Sequence, residues 1–215
     1  MNDTYLTLDG PAIGEFKDRG SKFIGLAYPV TSEQDIHEYL ERLRKEHFKA
    51  NHHCFAWRLG REGTQFRAND DGEPSGTAGR PILAQIDAAN LTNTVVIVVR
   101  YFGGTLLGAS GLINAYRETA AEALRAATIR EVMLHDDLLI HADYAIMPDV
   151  VQAIHKLGIT IREEQFDDRA HIAIAIRQRD TQQKLLQLKA QVRKVSVEEA
   201  ETLEWPDEME VSYEL

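Results

Sequence analysis

Residues 94–127 read TVVIVVRYFGGTLLGASGLINAYRETAAEALRAA, and three textures follow one another within them. Thr94 to Val99 is the longest apolar run of the chain; it is strand-sized and ends in Arg100. A β-branched run without polar alternation fits a strand buried on both faces. The glycine-rich stretch Gly103 to Gly111 breaks it, and Leu112 to Ala127 has the apolar spacing of a helix. Strand, glycine turn and helix within one short stretch set the first half as mixed α and β.

Upstream, Phe16 to Val30 alternates loosely around Asp18-Arg19-Gly20 and predicts two strands. Thr31 or Ser32 is placed to cap a helix to His47, with Ile36, Tyr39, Leu40 and Leu43 on one face. His53 to Leu59 and Thr64 to Ala68 predict a strand pair around a Gly60–Gly63 turn. The loop Asn69 to Gly79 follows, and Ile82, Leu83 and Ile86 predict a helix after it.

Downstream the pattern restarts. Strands are expected over Asp136–Tyr144, Ile159–Phe166, His171–Ile176 and Ser196–Leu203. Helices are expected over Pro148–Leu157 and Thr181–Val192. That is β-α-β-β-α-β, the ferredoxin-like order. The fold class is therefore α+β, with domains at 1–130 and 131–215 and the break between Thr128 and His135. Eight acids from Glu198 onward read as a solvated or frayed tail.

The formal charge of −10 is unevenly spread. Residues 1–130 hold 15 Lys+Arg and 16 Asp+Glu; the remaining 9 Lys+Arg face 18 Asp+Glu in the rest. Phosphate contact needs local positive potential, so a nucleic-acid surface is expected in the first half. The single cysteine, Cys54, permits no intramolecular disulfide. Neither a signal peptide nor a membrane span is visible, so a cytoplasmic location is expected.

Three constellations carry chemistry. In Asp70-Asp71-Gly72-Glu73-Pro74-Ser75-Gly76-Thr77, three carboxylates in four residues suit either a hard cation or a turn of solvated acids. Calcium-loop spacing is absent. Arg80 at the start of the next helix opposes the dipole, which hints at an outside anion. His52-His53-Cys54 offers metal ligands or a thiol–imidazole pair, but no spaced His or Cys completes a zinc set. A buried structural Cys54 is expected, and no metal. Arg100-Tyr101-Phe102-Gly103-Gly104 combines a cation, aromatics and close-approach glycines. Such a mix suits single-stranded RNA, or else tight helix–strand packing. The segment is neither a Walker A loop nor a dinucleotide fingerprint, since no lysine follows Gly108 and G-x-G-x-x-G is absent.

DDGEPSGTAGRPIL (70–83) followed by VVRYFGGTLLGASGLINAY (98–116), with His52-His53-Cys54 upstream, resembles the IMPACT/YigZ family. The likeness spans about Phe16 to Ala127, and the second half resembles the ferredoxin-like C-terminal domain of bacterial members. It implies a βαβ N-terminal domain shared with a small-subunit ribosomal protein domain and the GHMP kinases. It also implies an arrangement similar to the last two domains of translocating elongation factor G. Eukaryotic members restrain a starvation-activated translation-control kinase, largely through an RWD-type domain not expected here, so that role is not carried over. What the resemblance implies is RNA or ribosome binding connected with regulation of translation, without a cofactor.

On that view Arg80, Arg100 and Arg117 meet phosphate and Tyr101 or Phe102 stacks on a base. His52, His53, Asp70, Asp71, Glu73, Ser75 and Thr77 are family-motif positions. The alternative is an enzyme of small phosphorylated molecules, with Asp70, Asp71 or Glu73 holding magnesium. A third is a protein adaptor that meets a basic partner through the acidic second half. The two glycine-rich loops are expected to meet, since each flanks a helix–strand junction.

Overall fold

A computed structural model describes residues 3–213. The described chain divides into two compact units, Tyr5–Val132 and the remainder. The elements of the first run β1 (Thr4–Leu8), β2 (Ala12–Asp18), β3 (Ser21–Pro29), α1 (Glu33–Glu46), β4 (His52–Leu59), β5 (Gln65–Asn69), α2 (Gly79–Ala88), β6 (Thr94–Tyr101), α3 (Gly108–Arg125) and β7 (Ile129–Met133).

β6, the long apolar run, is the middle of a five-stranded sheet ordered β2-β3-β6-β4-β5. It pairs antiparallel with both β3 and β4, so these two are parallel and α1 is their crossover. Alternation along the strands then sorts two cores. Phe23, Ala27, Cys54, Ala56, Val96 and Val98 pack with α2 and α3. Tyr28, Phe55, Trp57, Val95 and Ile97 pack with Ile36, Leu40 and Leu43 of α1. Ser32 caps α1 in a reciprocal box with Asp35, satisfying two otherwise unpaired groups.

Gly14 and Gly25 face each other across β2–β3. A Cβ at Gly25 would lie 2.7 Å from the Thr119 carbonyl oxygen, and one at Gly14 would lie 2.4 Å from the Ala123 nitrogen. The glycine pair thus clears the bed on which α3 lies.

The second unit runs β8 (His135–Ala142), α4 (Met147–Lys156), β9 (Thr160–Phe166), β10 (Ala170–Arg177), α5 (Thr181–Arg193), α6 (Val197–Thr202) and β11 (Met209–Tyr213). Its antiparallel sheet has the order β11-β8-β10-β9. Leu138, Ile140, Ile172 and Ile174 form its core with Val150 and Ile154 of α4 and Leu188 of α5.

Three expectations change. Ser196–Leu203 is no strand: Ser196 caps α6 in a second box with Glu199, and that capping outweighs the weak β pattern. The last strand is instead β11, inside the acidic segment read as a frayed tail, where it pairs with β8 from Met209↔Ala142 to Tyr213↔Leu138. α3 begins at Gly108, four residues before the expected Leu112, because Gly108-Ala109-Ser110-Gly111 supplies its first turn. β1 and β7 pair as a two-stranded sheet that no sequence pattern signalled; β7 is mostly exposed and lacks a strand's alternation. No helix among the described residues is long and apolar enough to cross a membrane.

Candidate functional site

The 69–79 loop is folded by its own acids. Asp70 accepts backbone N–H groups from Gly76 (2.8 Å), Ala78 (3.0 Å) and Gly79 (2.8 Å), and so caps α2 from a distance. Burial opposes ionisation of Asp70, yet these three donors and nearby Arg80 outweigh it and hold the carboxyl below its usual range. Arg80, which opposes the α2 dipole, has the Asp70 charge near it. Asp71 accepts from the backbone N–H of His53 (2.7 Å) and from Arg44 (3.1 Å). These two acids are the loop's anchors.

Glu73 turns inward and is buried. Its Oε1 accepts from Arg100 Nη1 at 2.5 Å and from Tyr116 Oη at 2.7 Å, and His52 Nε2 lies 3.8 Å away. Behind it, Cys54 Sγ lies 3.0 Å from the Asp70 carbonyl oxygen and 3.3 Å from Tyr116 Oη. Burial pushes the Cys54 thiol and the Tyr116 phenol far above their ordinary values, so both stay protonated. Cys54 is the structural residue expected from its strand position, and no nucleophilic thiolate is available.

Arg100 was expected on phosphate, but it is 5% exposed and paired with Glu73. β6 is a central strand, so its Arg100 side chain points under α3 instead of into solvent. Strand alternation sends Tyr101 to the other face, where its hydroxyl meets His47 Nδ1 at 2.8 Å. Phe102 leaves the strand and is 44% exposed, its N–H held by Asn51 Oδ1 at 2.9 Å. A Cβ on Gly103 would fall 1.9 Å from the Gly20 carbonyl carbon, so only glycine lets the chain cross the β2–β3 turn there.

The two glycine-rich loops meet. Glu73 and Pro74 from one and Phe102, Leu106 and Gly108 from the other line a cleft of about 430 Å³, with His52 and Arg100 at its base. Leu106 stands 82% exposed at its rim. The first turn of α3 opens onto it without a side-chain cap. Gly104 and the exposed Ser75, in the same two loops, and the exposed Arg80, in the first turn of α2, do not line the cleft; Thr77 is buried and bonds to the Pro74 carbonyl. Arg117 sits mid-helix on α3, bonded to Asn114 and Glu118, and does not line it either. His53 is buried on the α1 side, and its Nε2 finds no hydrogen-bond partner among the described residues.

Sequence reasoning missed Tyr116, Asn51 and Leu106. Tyr116 lies at helical spacing within an apolar stripe and reads as core; nothing in that spacing announces a bond to Glu73, 43 positions earlier.

Residues 19–124 match the model of the Impact N-terminal domain. The IMPACT family member YvyE of Bacillus subtilis (strain 168) is 32% identical over 181 residues, 84% of this chain and 83% of that protein. The IMPACT family member YigZ of Escherichia coli (strain K12) is 41% identical over 110 residues, 50% of this chain and 54% of that protein. A solved structure described as that of a hypothetical protein superposes with a TM-score of 0.67 at 26% identity, covering 90% of this chain and 93% of that one. A relative this similar over most of both lengths is decisive: the chain belongs to the IMPACT family.

Proposed function

We propose that this protein is a non-catalytic RNA- or ribosome-binding factor connected with the regulation of translation, and that it grips RNA at the cleft between the 69–79 and 103–111 loops. The observation that carries the reading is the convergence of exposed Phe102 with the uncapped start of α3 on a cleft whose one acid, Glu73, is already paired. An exposed ring offers a stacking platform and free helix N–H groups suit a phosphate. Exposed Arg80, just beyond the 69–79 loop, supplies a cation, while Arg100 acts from beneath by neutralising Glu73. The buried, protonated Cys54 and the doubly bonded Glu73 favour binding over chemistry. The β11-β8-β10-β9 sheet of the second unit, with α4 between β8 and β9 and with α5 and α6 before β11, supports a ferredoxin-like domain, and the β3-α1-β4 crossover supports the ribosomal-protein analogy.

Sedimentation with ribosomes across a salt series tests this. Binding is expected to weaken steeply with salt, and Phe102→Ala with Arg80→Ala to remove most of it. Undetectable or salt-independent binding overturns the reading. The volume of the cleft also falls in the small-ligand range, which keeps an enzyme of phosphorylated small molecules as the alternative. A thermal shift with ATP or GTP and magnesium favours that alternative.

A further inference from the structure

A second cluster lies in the other unit, in the turn Asp167-Asp168-Arg169 between β9 and β10. His171 Nε2 sits 2.9 Å from Asp167 Oδ1. The ligand atoms of Asp167, Asp168 and His171 all lie within 4.8 Å of one another. Asp168 stands beside Asp167 in this group, so two acids lie together on an exposed turn. The neighbouring cation is drawn away from them: Arg169 Nε donates to Asp143 at 2.8 Å, and its Nη2 donates to the Glu208 carbonyl at 3.1 Å.

His171 is also held from behind. It faces His141 across the β8–β10 ladder, with the two Nδ1 atoms 2.6 Å apart and the rings at 87°. One proton must sit between these nitrogens, donated by one ring and accepted by the other.

We infer that Asp167, Asp168 and His171 Nε2 form a site for a divalent transition ion of the zinc class, with His141 as the positioning residue. His171 Nε2 and Asp167 Oδ1, 2.9 Å apart, need to open by only about 0.5 Å to stand as neighbouring ligands on tetrahedral bonds of roughly 2.0–2.2 Å. An imidazole nitrogen in the set favours zinc or cobalt over the all-oxygen preference of magnesium and calcium. A ligating histidine ordinarily gives its other N–H to an acceptor, and His141 Nδ1 is that acceptor. In the bound state His171 offers its Nε2 lone pair to the ion and donates Nδ1–H to His141, whose own proton then sits on Nε2. The two carboxylates balance the ion's charge, and solvent fills its open positions. Sequence spacing hid the support of His171, because His141 stands 30 positions away and is joined to it only by strand pairing.

The test is zinc titration calorimetry on the full, untagged chain, with visible absorption of the cobalt form. One zinc per chain is expected. His171→Ala and Asp168→Asn are each expected to weaken it at least about tenfold, and His141→Phe by about 10–100-fold. His141→Gln, which keeps an acceptor, is expected to recover much of that loss and to restore the cobalt band. His155→Ala, on an exposed face of α4, serves as the unaffected control. No zinc binding by the wild-type chain, or binding untouched by exposed Asp168→Asn, overturns the site. Unchanged affinity and cobalt spectrum in His141→Phe overturns the positioning role.

Discussion

Glu73 shows how one side chain can organise a loop without serving as a reagent. Its carboxylate is the counter-charge of buried Arg100 and the acceptor of Tyr116. Removing that charge leaves a guanidinium buried without compensation, which costs about 3–5 kcal/mol. Glu73→Gln is therefore expected to lower the urea midpoint sharply, and Glu73→Gln/Arg100→Met to recover most of the loss because no buried charge then remains. Equal destabilisation of the single and double variants would contradict this. His53 sets a pH limit. Burial, helped by Arg44 and opposed by Asp71, pushes its imidazole below the ordinary 6.5. The unfolded chain then takes up the proton first as pH falls. Stability from neutral His53 is complete above about 6.5 and declines as pH drops toward the folded value. Urea midpoints at pH 7.5 and 5.5 are expected to differ less in His53→Leu than in the wild type.

At the level of elements, the α2 N-terminus depends on a residue eight positions upstream of its cap. Ala78, the N-cap, has no side chain to offer, and Asp70 takes its place. Losing a helix cap costs about 0.5–2 kcal/mol. Asp70→Ala, which strips three N–H groups at once, is expected at the upper end of that range by chemical denaturation. Hydrogen exchange should rise first at Gly76, Ala78 and Gly79. α3 depends on shape instead. Gly25→Ala would push a methyl to 2.7 Å from the Thr119 carbonyl, and overpacking of this kind costs about 1–3 kcal/mol. A Gly25→Ala chain as stable as the wild type would show that α3 can lift off its bed at no cost.

For the molecule as a whole, each unit has a core of its own among the described residues. The segment Tyr5–Val132 is therefore expected to unfold cooperatively by itself, with a heat-capacity increment in proportion to its length. A broad, non-cooperative melt would overturn that autonomy. Charge follows the same division and confines the proposed RNA contact to the near-neutral first half. The sequence alone determined the order of most elements, the buried β6 run, the capping of α1 and the family motifs. These rest on local propensity and periodicity, which act over a few residues. It misread Ser196–Leu203 because a six-residue helix with a good capping box and a short strand look alike in composition. Only the tertiary structure decided that Arg100 serves Glu73, that Tyr101 turns away from the cleft, and that His141 backs His171. Each is a contact across strands or between loops, and the direction of a side chain there is set by which face of the sheet its residue occupies, a property of the packed chain and not of neighbouring residues.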